Sequence, residues 1–345
     1  MLSLLVGVGV ALVVCLLARP LGSFLGVVDM PDGGRKLHAA PTPEVGGLAV
    51  VLGLLPSMAW QAYAGPLTPY LLIVGAAVAG FTAVGYLDDR SHIRPLYRLS
   101  AGVLLTLGVL WFVPGELVAY LRFSFLDVAI FPSWGLSVVF TVLCIVGLQN
   151  ALNMADGKNG LALGMLLIWS AFLWWHAPPD LAPVLVTLIG GLAVTWLFNV
   201  RGAVFLGDAG TYGLGAAVAF FTIHVYSVGF PELHADEVAL WFLVPVVDAL
   251  RLMATRIAAG HSPFAPDRRH FHHLLQVALP RHAGLRLAIY LGLVAVPGSL
   301  AALNPQYVLA YAAGTLLIYT GIVLSARLAA APRQASITIR LGSGR

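Results

Sequence analysis

Apolar residues run along this chain in eleven long blocks separated by short polar connections: roughly 2–18, 46–64, 69–87, 99–113, 136–150, 160–177, 182–199, 209–227, 237–258, 285–303 and 305–327. A helix needs ~20 mostly apolar residues to cross the hydrocarbon core of a bilayer, and the blocks approach or reach that length. Alternation with the period of a strand is absent, which excludes a transmembrane β-barrel. The pattern predicts an all-α polytopic membrane protein with about eleven transmembrane helices.

Composition strengthens this reading. The chain is 59% hydrophobic and 10% charged over 345 residues, with a mean hydropathy of +0.90, whereas a soluble globular chain has about a quarter of its residues charged. The first block lacks a preceding basic residue and a following small-residue cleavage motif, so it reads as a retained span rather than a signal peptide. Arg19 follows it, which places the N-terminus outside and, after eleven crossings, the C-terminus in the cytoplasm. Of the 19 Lys and Arg residues, only Arg122 falls in an outer loop, and such bias marks the cytoplasmic side. The net charge of +4 therefore reports topology and gives no reason to expect nucleic acid. Cys15 and Cys144 lie inside apolar blocks without disulfide-framework or zinc spacing, as inert packing residues would. With no linker or clear repeat, residues 1–331 read as one polytopic domain, followed by a short basic tail, 332–345.

The cytoplasmic connections carry polar signatures that the outer loops lack. The first, "DMPDGGRKLHAAPTPEVGG", holds Arg35, Lys36 and His38, which serve either topology or chemistry. At the end of the third block, "GYLDDRSHIRPLYR" pairs Asp88 with Asp89. These acids could hold magnesium, accept a proton, or solvate a helix end. Arg90, Arg94 and Arg98 recur every four residues, so a continuous helix would put them on one face, suited to a lipid phosphate or to anionic-lipid anchoring. After the fifth block, "QNALNMADGKNG" spaces Asn150, Asn153 and Asp156 by three. Such oxygen donors suit Mg²⁺, which takes one or two protein ligands plus substrate phosphates; a simple helix C-cap explains the glycines but not the upstream asparagines. In "FLGDAGTYGLG", Asp208 suits the N-cap of the eighth span and, compatibly with that, a metal-diphosphate site at a helix N-terminus. Finally, "AGHSPFAPDRRHFHHLL" carries Arg268, Arg269, His270, His272 and His273. Zinc there lacks a cysteine or a carboxylate other than Asp267 to complete a tetrahedral set; a surface for phosphates fits better.

In order along nearly the whole chain, "RKLHAAPTPEVGG", "YLDDR", "NALNMADGKNGLA", "FLGDAGT" and "SPFAPDRRHFHH" resemble the polyprenyl-phosphate N-acetylhexosamine-1-phosphate transferases (glycosyltransferase family 4), most closely the WecA-like branch. The resemblance implies an active site on cytoplasmic loops of a bacterial inner-membrane protein. It implies transfer of N-acetylhexosamine 1-phosphate, with N-acetylglucosamine the leading sugar, from a UDP-N-acetylhexosamine to polyprenyl (undecaprenyl) phosphate, yielding UMP. That would be the first membrane step of a cell-surface glycan pathway. It further implies Mg²⁺, for which Mn²⁺ could substitute, contact with membrane lipids, and room for a homodimer.

By motif, Asn153 and Asp208 would hold the metal. Asp88, Asp89 and Asp208 would form the catalytic set, with Asp88 deprotonating or orienting the lipid phosphate. Lys36, His38, Asp156, Asn159, Arg268, His270, His272 and His273 would contact the sugar nucleotide. One departure is visible: the family's D-G-x-D-G is Asp156-Gly157-Lys158-Asn159-Gly160 here, an amide in place of a carboxylate.

Two rival readings remain distinct. An MraY-like transferase of phospho-MurNAc-pentapeptide is disfavoured by "SPFAPDRRHFHH". A transporter of lipid-linked or anionic solutes would place binding residues near the bilayer midplane, whereas the apolar blocks are nearly free of charge in their interiors, the exceptions being Asp248 and Arg251 toward the inner end of the ninth, just after a kink-prone Pro245.

Overall fold

A computed structural model describes residues 1–31, 40–126, 130–229, 232–263 and 269–342, with backbone alone for 329–342. The chain forms two compact units, Met1–Ala239 and Leu240–Arg345. In order, its helices are α1 (Leu2–Leu16), α2 (Ala18–Leu25), α3 (Gly46–Ala64), α4 (Thr68–Ser91), α5 (Pro95–Phe112), α6 (Trp134–Ala155), α7 (Leu161–His176), α8 (Ala182–Val200), α9 (Gly207–Val228), α10 (Ala235–Trp241), α11 (Leu243–Ala258), α12 (Phe271–Ala278), α13 (Ala283–Leu303) and α14 (Val308–Gly342). A two-residue antiparallel pair, β1 (Val28–Asp29) and β2 (Thr42–Pro43), flanks the first polar connection.

Among the described residues, eight helices are long and apolar enough to cross a membrane, or up to ten if each of two bent pairs is one span. The chain is thus an all-α, multi-pass membrane protein. The bends have a local cause. The pairs α1–α2 and α10–α11 each turn by 73°, and each second helix carries a proline in its first turn, Pro20 or Pro245. A proline ring collides with the carbonyl four residues back; those positions are Leu16 and Trp241, where the preceding helices stop. Pro56 and Pro297, by contrast, are accommodated within α3 and α13.

In the first unit α9 is the central element: every residue from Ala209 to Tyr226 is buried, against α3, α4, α6 and α7. Its small residues let neighbouring backbones close in, as in membrane helix packing generally. A Cβ on Gly47 would lie 2.1 Å from Cα of Gly210, and one on Gly85 would lie 2.2 Å from the carbonyl oxygen of Asp208. The Gly-Gly start of α3 is therefore a docking surface for the first turn of α9. Backbone hydrogen bonds complete the contact: Phe205 N–H donates to Pro43, Gly46 N–H to Phe205 and Gly47 N–H to Leu206, at 2.8–2.9 Å. Cys15 is buried in an apolar cluster with Ala11, Val14, Ala18 and Val204.

Candidate active site

The chemistry-bearing residues of the first unit meet where α4 and α6 end and α9 begins. Asp89, near the C-terminus of α4, accepts the N–H groups of Asp208 (2.7 Å) and Ala209 (3.0 Å). It thereby satisfies donors that a helix start leaves without partners. Asp208 is not the N-cap of α9; Leu206 holds that position. The Asp208 carboxylate is instead available to side chains: its Oδ1 accepts from Nδ2 of Asn153 at 2.6 Å, and the same amide donates to Thr211 Oγ1 at 3.0 Å.

Asp88 makes different contacts. Its Oδ1 accepts the N–H of Ile93 at 2.7 Å, and its Oδ2 is ion-paired with Nη1 of Arg98. The same nitrogen lies 3.6 Å from Asp208 Oδ2. Arg98 thus joins the two acids, so that Asp88, Asp89, Asp208, Asn153 and Arg98 form one linked set.

The stripe expected from Arg90, Arg94 and Arg98 does not form. Helix α4 ends at Ser91, His92 takes a left-handed conformation (φ 49°), and α5 starts at Pro95. The residue before a proline is driven out of the α region, so the four-residue spacing spans a break rather than a helical face. Arg90 and Arg94 are exposed, and Arg98 turns inward.

The "DGKNG" loop follows α6. Asn150 stays with its own helix, bonding the Val146 carbonyl at 2.7 Å. Asp156 caps α6 and is partly buried; burial pushes its carboxyl up from 3.8 to about 7, and the neighbouring Asp89 charge adds to the push. Asn159 is exposed and lies beside Gly202. Gly160 adopts φ +83°, a conformation natural only to glycine.

A residue not singled out by sequence holds this loop. The buried Asn199 side chain accepts from Gly160 N–H (2.6 Å) and donates to the Val204 carbonyl (2.9 Å), tying the loop after α6 to the segment that leads into α9. Trp196 adds an indole hydrogen bond to the Gly160 carbonyl at 2.9 Å. A lone asparagine at the end of an apolar block gave the only signal.

In the second unit His270 is the N-cap residue of α12, with His272 and His273 in its first turn. The His270 and His272 rings lie 5.5 Å apart and parallel within 3°. Asp248 and Arg251 form an ion pair at 2.7 Å; their bonds run to the segment 269–271 and to Tyr319. Both charges are thus held within a hydrogen-bonded network of the second unit. Lys36, His38 and Arg268 lie outside the described residues.

Among the described residues no group of three His, Cys, Asp or Glu side chains is arranged to hold a metal. The oxygen-bearing side chains meeting at the start of α9 that a cation could take are Asp208 and Asn153, with phosphate and water completing its shell. That donor set suits Mg²⁺; it is Asn153 Nδ2 that meets Asp208 Oδ1, so the amide must turn over to offer its oxygen to a cation.

Acids, an amide and a guanidinium gathered where membrane-length helices end define a multi-pass membrane protein with a charged candidate site at one end of a helix bundle. The chain belongs to glycosyl transferase family 4, whose description matches residues 71–226. It is 30% identical over 346 residues to the decaprenyl-phosphate N-acetylglucosaminephosphotransferase of Mycobacterium tuberculosis (strain CDC 1551 / Oshkosh), covering 87% of this chain and 82% of that one. It is 30% identical over 301 residues to the undecaprenyl-phosphate alpha-N-acetylglucosaminyl 1-phosphate transferase of Escherichia coli (strain K12), with coverage of 82% and 79%. The like-named protein of Salmonella typhi is 31% identical over 278 residues, with coverage of 76% and 72%.

Proposed function

We propose that this protein transfers N-acetylglucosamine 1-phosphate from UDP-N-acetylglucosamine to a polyprenyl phosphate at the cytoplasmic face of a bacterial inner membrane. An oxygen of the lipid phosphate attacks the sugar-bearing phosphorus, the bond to the UMP phosphate breaks, and UMP leaves. The observation that carries this reading is the linked set of Asp88, Arg98, Asp208 and Asn153 where α4 and α6 end and α9 begins. Both reactants are anionic at phosphorus, so rate enhancement comes mainly from positioning and charge neutralisation. The relatives' names favour N-acetylglucosamine over phospho-MurNAc-pentapeptide.

Asp208 and Asn153 would hold Mg²⁺, which supplies neutralisation of diphosphate charge when bound. Asp89 keeps the first turn of α9 in register, and with it the Asp208 side chain. Arg98 exchanges its carboxylate partners for a phosphate oxygen of the acceptor, and Asp88, released from that pair, orients the lipid phosphate or takes its proton. In the first unit Asp156 and Asn159 are the candidates to contact the donor; His270, His272 and His273 are the candidates in the second, on the strength of the sequence motif alone.

The test is a product assay with the purified full chain, Mg²⁺, undecaprenyl phosphate and a panel of UDP-sugars. The expected result is a lipid-linked N-acetylglucosamine product with one UMP per turnover. Product from UDP-MurNAc-pentapeptide alone, or none from any UDP-N-acetylhexosamine, overturns it.

A further inference from the structure

Asp248 sits at the hub of a buried network in the second unit, and all its hydrogens come from its partners. Oδ1 accepts from Arg251 Nη2 (2.7 Å) and from the Tyr319 hydroxyl (2.8 Å). Oδ2 accepts from the Phe271 N–H (3.1 Å) and meets Nδ1 of His270 at 3.2 Å. Arg251 also donates through Nε to Tyr319 (2.8 Å) and through Nη2 to the Arg269 carbonyl (2.6 Å). Two carboxylate oxygens offer about four lone-pair sites, and an ionised carboxylate can only accept. With four partners in place, the proton shared with His270 belongs to the ring.

We propose that Asp248 is the positioning residue for His270, fixing the ring with its proton on Nδ1 and leaving Nε2 as the atom that His270 presents to the sugar-nucleotide donor. A histidine's free nitrogen is set by the bond that the other one makes. Arg251 and Tyr319 extend the hold: by pinning the Arg269 carbonyl and the opposite carboxylate edge, they keep Asp248 from rotating away. The role of the donor rests on the proposed transfer reaction; the tautomer does not.

The tautomer is read directly by ¹⁵N NMR of the full chain in nanodiscs with ring-labelled histidine, the His270 signals being those lost in His270→Gln. The unaltered protein is expected to carry the proton on Nδ1 near neutral pH; a neutral ring with its proton on Nε2 overturns the proposal. In Asp248→Asn one carboxylate edge becomes an NH₂ group. Arg251 and the Phe271 N–H can only donate, whereas the His270 ring can accept; the charged guanidinium makes the stronger bond and keeps the remaining oxygen, so the NH₂ turns to the ring at the cost of the Phe271 bond and the proton moves to Nε2. Turnover should then fall roughly 10–100-fold, as when a functional histidine loses its outer partner, with the Michaelis constant for the lipid unchanged. An unmoved tautomer, or full turnover with an inverted one, overturns the assignment. Asp248→Glu keeps the carboxylate and should restore the Nδ1 proton and most of the turnover; it carries the test if the amide variant does not fold. Absence of transfer by the unaltered protein would sink the proposed function while leaving the NMR test of the Asp248–His270 relation intact.

Discussion

The carboxylate of Asp89 caps the helix that carries Asp208, across a sequence separation of 119 residues. Two neighbouring acids with the same sequence context thus do different work: Asp88 pairs with a guanidinium, and Asp89 holds the backbone that aims a third acid.

Asp89→Asn should therefore lose part of the cap. An amide offers one acceptor oxygen where two N–H groups need partners, and losing a cap costs about 1 kcal/mol. Lower thermal stability and lower turnover are expected together, with faster hydrogen exchange at Asp208 and Ala209. Lost turnover with stability and exchange unchanged would show that Asp89 acts on substrate instead.

Asp208→Asn should abolish transfer in a protein that still folds, and Asn153→Ala should come close to it. Isothermal titration with Mg²⁺ or Mn²⁺ in the presence of donor should show weakened metal binding in both. Near-normal turnover by Asp208→Asn at low Mg²⁺ would move the metal elsewhere.

Asp156 makes a pH prediction. Its carboxyl is raised from 3.8 to about 7 by burial and by Asp89, so the folded state holds a proton that the unfolded chain has released. The associated stability is fully present below pH ~4 and is lost as pH climbs through ~7, at most about 4 kcal/mol. Asp156→Asn removes that loss, so its stabilising effect should grow from pH 5 to pH 8 in thermal unfolding. A difference that is flat with pH would refute the raised carboxyl.

Gly47→Ala places a methyl 2.1 Å from Cα of Gly210, whereas Gly108→Ala in α5 meets nothing within 4 Å. Overpacking typically costs ~1–3 kcal/mol; with backbone on the opposing side, the upper end is expected for Gly47. Gly108→Ala should be neutral or slightly stabilising. Equal melting temperatures for the two variants would contradict the close approach.

Sequence made the multi-pass all-α class plain, because apolar block length depends on composition alone. It also located Asp88, Asp89, Asn153 and Asp208, since charges and amides at the ends of apolar blocks need a reason. It could not assign the division of labour between the two adjacent acids, nor the Asn199 clamp, because both depend on which segments meet across the bundle. The arginine stripe failed for a local reason visible in "SHIRPLYR": Pro95 forbids the continuous helix that four-residue spacing assumes. Counting apolar blocks likewise missed the bend before Pro20, because hydropathy is blind to a lost N–H, whereas Pro245 was legible as a kink.

The complete enclosure of α9 by protein has one further consequence. A helix with no lipid-facing side has no hydrophobic length to match to the bilayer, so thinning or thickening of the membrane strains the outer helices first. Such strain reaches Asp208 through protein contacts, among them the glycine contacts at Gly47 and Gly85, the Asp89 cap and the Asn153 and Arg98 side chains. The start of α9 thus feels the bilayer only at second hand, through the helices packed around it.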